Sequence, residues 1–149
     1  SCQQGADGAL VVIDAVDGIK VQTEQAWEFA SQFGQPSAIF INKLDRERAD
    51  FSRAFQEAAE IFEPKPIILQ LPIGTEAEFK GLVDLISGKA YIYDETGKAQ
   101  KSDIPADMQE LVESEKENLI ENIAEAATDH ITKPLLFRLP IQFYPWRFY

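Results

Sequence analysis

Residues 9–14 read ALVVID and residues 37–42 read SAIFIN, two apolar, β-branched runs that each end in a polar side chain. Continuous apolar runs of this kind are typical of strands covered on both faces in a parallel sheet, so we expect two such buried strands. Between them, Asp17-Gly18 predicts a turn. A helix is expected from Gln22 to Gly34, with Gly34 at its end. Strand, helix and strand in this order predict parallel pairing through a right-handed crossover, and therefore an α/β fold.

Structure of a different kind is expected further along the chain. Asp50 is expected to cap a second helix that ends before Pro64. Beyond residue 66 the expected elements are a strand at 67–71, a hairpin of strands 79–85 and 89–93, and a long helix opened by Pro105. The apolar stripe of that helix is predicted to be Met108, Leu111, Val112, Leu119, Ile123 and Ala127. The sequence thus predicts an α/β region at residues 1–66, an α+β region at residues 67–129, and a tail at residues 130–149.

Composition and charge exclude several classes of function. The 149-residue chain has 14 basic and 25 acidic side chains, a formal net charge of −11. A field of that sign repels phosphate backbones, so we expect no direct DNA binding. No apolar run is long enough to span a bilayer, which predicts no membrane contact. Cys2 is the only cysteine in the sequence, so neither an intrachain disulfide nor a cysteine-ligated zinc site is expected.

The charge is unevenly distributed. Residues 103–129 contain nine carboxylates against one cation, Lys116, whereas residues 130–149 contain three cations and no acid. The acidic stretch is interpreted either as a solvated helix face or as a docking surface for a basic partner. The tail is rich in aromatic residues and proline, and it does not continue the helix. It is interpreted as non-native or frame-shifted sequence, or alternatively as a partner-binding segment.

Residues 42–45 read NKLD and follow the second predicted strand directly. Ligands of open parallel sheets bind at the carboxyl ends of the strands, which is where this motif lies. Guanine presents an N1–H and a 2-amino group side by side, and the carboxylate of Asp45 can accept both, whereas adenine offers no such pair. The stem of Lys43 can lie over the base, and the Asn42 amide can bond the base and neighbouring loops. A polar turn at a strand end is the alternative interpretation of the same four residues.

Longer segments of the chain resemble the GTPase domain of the elongation factor G family. The segments that carry the resemblance are residues 6–18, 22–24, 42–46 and 49–51, and then 70–74, 79–85 and 104–105. The second set is similar to the insert subdomain that this family carries within its GTPase domain. The resemblance implies part of a Ras-like P-loop GTPase sheet with its guanine-specificity motif at residues 1–66, and the insert subdomain at residues 67–129.

The family resemblance also implies a function for the parent protein. Such a protein binds GTP or GDP with Mg²⁺ and hydrolyses GTP in the cytoplasm, driving translocation of tRNA and mRNA on the ribosome. The implied residues for the guanine part of the site are Asn42, Lys43 and Asp45. The insert subdomain is implied to contact the ribosome, including a stalk protein.

The chain departs from the family pattern in several motifs. It has no G-x-x-x-x-G-K-[ST] phosphate loop, no D-x-P-G-H motif and no recognisable switch segments. We therefore expect an internal fragment without GTPase activity of its own and without catalytic or metal-binding residues, His130 included. The alternatives are a related translational GTPase of the ribosomal-protection or release-factor type, a stand-alone acidic module that docks a stalk protein, and a flavodoxin-like binding domain.

Overall fold

The computed structural model describes residues 7–94 and 96–129, and for residues 126–129 only the helical backbone. The chain is divided into two compact units. Of the described residues, the first unit comprises those up to Pro66 together with Thr75–Glu78, and the second comprises Ile67–Gly74 and those from Phe79 onward. Cys2, His130 and the predicted tail at residues 130–149 lie outside the described residues. No helix within the described ranges is long and apolar enough to cross a membrane.

The first unit contains a parallel pair of strands. Strand β1 (Ala9–Asp14) pairs with β2 (Ser37–Asn42) in a register that runs from Ala9 opposite Ser37 to Asp14 opposite Asn42. Helix α1 (Val21–Gln32) connects the two strands, and α2 (Phe51–Ile61) follows β2. The predicted α/β fold and the predicted parallel pairing are confirmed.

Two local signals set the ends of the helices as predicted. The Asp50 side chain accepts a hydrogen bond from the Arg53 amide at 3.0 Å and so caps α2. Gly34, just beyond α1, adopts φ +62°, a backbone conformation that is unfavourable for residues with a side chain. The chain can therefore turn sharply there and enter β2.

The core of the first unit lies on one face of the sheet. Side chains of β1, α1 and α2 form it, together with the residue that ends α2, namely Val11, Ile13, Trp27, Ala54, Ala58 and Phe62. The indole of Trp27 stacks on Phe62 with ring centroids 4.6 Å apart and 15° between the ring planes. Its Nε1–H donates to the Glu63 carbonyl at 3.1 Å, which fixes the ring. The sequence predicted an apolar face of Ala26, Phe29, Ala30 and Phe33 for this helix and did not include Trp27.

The expectation that both strands are buried on both faces is wrong. Leu10 is 57% exposed and Val12 is 53% exposed, while Val11 and Ile13 are buried. The apolar residues of β2 are only half-buried. Successive side chains of a strand point to opposite faces, and the core built with α1 and α2 lies on the Val11 and Ile13 side. A continuous apolar run therefore does not require two covered faces.

The second unit contains a four-stranded antiparallel sheet. Its strands pair in chain order: β3 (Gln70–Ile73), β4 (Gly81–Asp84), β5 (Lys89–Tyr93) and β6 (Ala99–Ser102). The predicted hairpin of β4 and β5 is confirmed. Strand β3 begins three residues later than predicted, and β6 was not predicted, because all four of its residues are exposed and give no apolar alternation.

Helix α3 (Gln109–Asp129) begins after a 3-10 turn at Ala106–Met108, so the α-helix starts later than the predicted opening at Pro105. The buried stripe is narrower than predicted. Val112 and Leu119, one heptad apart, are buried, whereas Leu111 and Ile123 are exposed. Every described side chain from residue 120 to residue 125 is exposed, so among the described side chains of α3 the buried face ends at Leu119.

Candidate functional site

The carboxyl ends of β1 and β2 lie side by side. Asp14 and Asn42 are register partners at the last positions of the two strands. Immediately beyond them, the Ala15 amide donates to the Asn42 carbonyl at 2.9 Å. The loops that follow both strands therefore leave the same edge of the sheet, which is where ligands of open parallel sheets bind.

The loop after β1 is organised by the Asp14 side chain. Its Oδ1 accepts hydrogen bonds from the amides of Val16, at 2.8 Å, and Asp17, at 3.3 Å. The Gly18 amide donates to the Asp14 carbonyl at 2.8 Å, and Gly18 adopts φ +72°. This compact turn holds the Asp14 carboxylate in one orientation, with Oδ2 left for another donor.

The loop after β2 carries the three predicted residues. The Lys43 amide donates to Asn42 Oδ1 at 2.8 Å, and Lys43 itself has φ +63°, an uncommon value for a residue with a side chain. The Arg46 amide donates to the Lys43 carbonyl at 3.1 Å, closing a turn that contains Asp45. Asn42, Lys43 and Asp45 thus belong to one short turn at the strand end.

The two loops meet through an ion pair. Lys43 Nζ donates to Asp14 Oδ2 at 2.5 Å, although the residues are 29 positions apart in the sequence. The Lys43 side chain is 52% exposed and the Asp14 side chain only 20%. This hydrogen bond is the main cause that lowers the pKa of Asp14; the bonds from the Val16 and Asp17 amides act in the same direction, and desolvation opposes them. Asp14 is therefore an ionised partner for Lys43 at neutral pH.

Asp45 differs from Asp14 in its surroundings. It is exposed, and its carboxylate forms no hydrogen bond or ion pair with any other residue in the described ranges. Within the same ranges, the amide NH₂ of Asn42 donates to no protein acceptor. One carboxylate and one amide at the strand end therefore have hydrogen-bonding capacity that the described protein groups do not use.

Helix α2 and its cap support the backbone of these loops. Arg53 Nη2 donates to the carbonyls of Ala15, at 3.2 Å, and Val16, at 2.6 Å. The Asp50 amide donates to the Ala15 carbonyl at 3.1 Å. Further along, the Arg48 amide donates to Glu76 Oε1 at 2.7 Å, which joins the segment Thr75–Glu78 to the loop after β2. The Asp14 and Lys43 side chains therefore start from a backbone that is fixed on both sides.

Sequence reasoning named the residues of the second loop as the candidate site and did not include Asp14. The sequence placed Asp14 at the end of a strand, which was the available signal, but its partner Lys43 lies on the other strand. A cavity of about 410 Å³ lies elsewhere, lined by α1 and the end of α2, and contains none of the predicted residues. The candidate site is thus an open surface at the carboxyl ends of β1 and β2.

Metal-binding side chains do not cluster within the described residues. Within the described ranges, no group of three or more His, Cys, Asp or Glu side chains is arranged to hold a metal. The Mg²⁺ implied by the family resemblance is therefore assigned no ligand in this stretch, and no chemical step is derived through it.

Comparison with known proteins gives consistent matches. A family model described as the Elongation factor Tu GTP binding domain matches residues 2–137. Elongation factor G 2 from Shewanella sp. (strain MR-4) is 41% identical over 126 residues, which are 83% of this chain and 18% of that protein. Elongation factor G 1 from Synechocystis sp. (strain ATCC 27184 / PCC 6803 / Kazusa) is 40% identical over 132 residues, 87% of this chain and 19% of that protein.

A solved structure agrees with these relatives. The crystal structure of a protein from Thermus thermophilus has 30% sequence identity and a TM-score of 0.73, covering 83% of this chain and 18% of that one. The chain thus spans 18–19% of the length of the curated relatives it matches. The resemblance to elongation factor G that the sequence motifs predicted is confirmed.

Proposed function

The chain belongs to the Elongation factor Tu GTP binding domain family, and from that premise we propose that its residues 42–45 recognise the guanine base of GTP and GDP. The observation that carries the proposal is the exposed Asp45 carboxylate, which has no described protein partner and lies in the turn that Asn42 and Lys43 begin. A charged acceptor of this kind can take both donors on the N1 and N2 edge of guanine.

The proposal extends to the longer protein that the relatives represent. That protein would be a cytoplasmic translational GTPase of the elongation factor G type, which uses GTP hydrolysis with Mg²⁺ to move tRNA and mRNA on the ribosome. Residues 1–66 would supply the guanine-reading part of its GTP-binding domain, and residues 67–129 its insert subdomain. The described part of this chain contributes base recognition and contributes no group to phosphoryl transfer.

Nucleotide monophosphates provide a direct test, because GMP, IMP and AMP share a ribose phosphate and differ only in the base. We expect GMP to shift the backbone amide signals of residues 14–18 and 42–50 in NMR titrations carried to about 10 mM, since an interaction of about 4 kcal/mol corresponds to a millimolar dissociation constant. IMP, which keeps N1–H and lacks the 2-amino group, should bind more weakly than GMP, and AMP more weakly still.

A matched pair of variants isolates Asp45. Asp45→Asn should weaken GMP binding about tenfold, since a hydrogen bond to a charged group contributes about 1.5–3 kcal/mol and this site is open to solvent. Glu47→Gln removes the same charge from a neighbouring exposed position and should leave GMP binding unchanged. A wild-type chain that binds GMP and AMP equally well would refute the proposal.

The acidic surface of α3 supports a second proposed role, docking of a basic partner such as a ribosomal stalk protein. The glutamates at positions 110, 113, 117, 121 and 125 are exposed and form no ion pair with other described residues. Ile120 and Ile123 are exposed on the same helix and would add apolar contact. Glu117→Gln with Glu121→Gln should weaken binding of a basic stalk protein in a salt-dependent manner, whereas Asp45→Asn should leave it intact. Equal binding by the doubly neutralised variant and the wild type would exclude this surface.

A further inference from the structure

The pair formed by Asp14 and Lys43 has a geometry that an ordinary surface ion pair lacks. Exposed ion pairs usually contribute little, because two flexible side chains must be held in one arrangement. Here the carboxylate is already fixed by the Val16 and Asp17 amides on Oδ1, and Oδ2 alone faces Lys43. The loop after β1 therefore fixes the orientation of the Asp14 carboxylate without help from Lys43.

Lys43 is also constrained at its backbone. Its amide is bonded to Asn42 Oδ1 and its φ is +63°, so the direction in which the side chain leaves the loop is set before the ammonium group finds a partner. The contact with Asp14 then fixes the far end. Both ends of the Lys43 side chain are therefore held, the backbone end by the turn and the ammonium group by Asp14.

We propose that Asp14 is the positioning residue that holds the Lys43 stem in place as the platform on which the guanine base lies. The proposal rests on the proposed guanine recognition by residues 42–45 and adds a residue from the other strand. Asp14 does not touch the base. It acts through Lys43, whose stem covers one face of the ring while Asp45 reads the edge.

A substitution of Asp14 can remove its ion pair with Lys43 and keep the hydrogen bonds that shape the loop after β1. In Asp14→Asn the side chain keeps Oδ1, which continues to accept from Val16 and Asp17, while the new Nδ2 donor faces the Lys43 ammonium group and cannot pair with it. Asp17→Asn is the matched control on the same loop, because the Asp17 carboxylate pairs with Lys20 at 2.7 Å and not with Lys43.

The first measurement needs no nucleotide. Acetylation of lysine amines with acetic anhydride, quantified for each lysine by mass spectrometry, reports how well an ammonium group is held. In the wild type, Lys43 should react more slowly than Lys65, which is exposed and has no described ion-pair partner. Asp14→Asn should raise the Lys43 rate to that of Lys65, whereas Asp17→Asn should raise only the Lys20 rate. An unchanged Lys43 rate in Asp14→Asn would overturn the proposal.

The second measurement connects the pair to the base. GMP titrations of the wild type, Asp14→Asn, Lys43→Ala and the double variant form a double-mutant cycle. Asp14→Asn should weaken GMP binding about two- to fivefold in the wild-type background, the range expected for an exposed ion pair, and should cause no further loss when Lys43 is already alanine. An equal loss in both backgrounds would show that Asp14 acts independently of Lys43 and would overturn the proposal.

The two measurements separate this inference from the proposed function. A wild type without preference for GMP over AMP would refute guanine recognition, and with it the use of the platform. The acetylation rates would still decide whether Asp14 holds Lys43. Preserved GMP binding in Asp14→Asn, together with normal guanine preference, would leave the proposed function standing and remove Asp14 from it.

Discussion

Replacement of Phe62 tests whether the one-sided core of the first unit holds its two strands and two helices together. Phe62 is 1% exposed and stacks on Trp27 at 4.6 Å. Truncation of a buried phenylalanine to alanine costs about 3–5 kcal/mol, which includes the lost stacking energy of about 0.5–1.5 kcal/mol. The cost should lie near the upper end, because Trp27 is also tied to the Glu63 carbonyl and cannot move into the space.

The neighbouring residue provides a matched control. Ile61 is 46% exposed, so Ile61→Ala should cost less than about 1 kcal/mol. Urea unfolding followed by tryptophan fluorescence in a Trp146→Phe background would report on Trp27 alone, since the sequence has two tryptophans. A domain of this kind has about 5–15 kcal/mol of stability, so Phe62→Ala should shift the midpoint strongly. Equal midpoints for the two alanine variants would refute the assignment of the core to this face.

Three further predictions concern a helix cap, a close strand contact and an ionised carboxylate. Asp50→Ala should destabilise the first unit by about 1 kcal/mol in urea unfolding, because the Arg53 amide loses its acceptor, and Asp50→Ser should restore most of that loss. Gly81→Ala should destabilise the second unit by about 1–3 kcal/mol, because its Cβ would collide with the Tyr91 carbonyl across the β4–β5 pair; retained amide protection of β4 in hydrogen exchange would contradict this. The pKa of Asp14 is lowered in the folded state, so its contribution to stability is present above its unfolded pKa and is lost as the pH falls through the folded pKa. The difference in urea midpoint between wild type and Asp14→Asn should therefore be larger at about pH 6 than at about pH 3, and a difference independent of pH would argue against an ionised Asp14.

The sequence correctly predicted the features that depend on interactions between residues close together in the chain. The Asp50 carboxylate needs only an amide three residues away, and Gly34 needs only its own backbone freedom, so both features can be recognised from the sequence. The same holds for the β4–β5 hairpin, whose two strands are adjacent in the chain. In these cases the interactions join residues close in the sequence, so the residue types alone predict the local structure.

The features that were missed depend on non-local neighbours. An apolar run such as residues 9–13 indicates a strand, but it does not show whether one or both faces of that strand are packed against helices. The exposure of Leu10 and Val12 was therefore not predicted. Strand β6 forms because β5 offers it a partner, although its own residues are exposed and give no apolar pattern. The assignment of Thr75–Glu78 to the first unit depends on contacts between segments far apart in the chain.

The candidate site has one part that depends on local sequence and one part that depends on contacts between distant segments. The motif at residues 42–45 is contiguous and could be recognised from spacing and chemistry, whereas Asp14 comes near Lys43 only because the parallel register places Asp14 opposite Asn42. That register is in turn supported by α2, through the bonds from Arg53 and Asp50 to the backbone of the first loop. The proposed site for reading a base would therefore be built from two strand ends and supported by one helix.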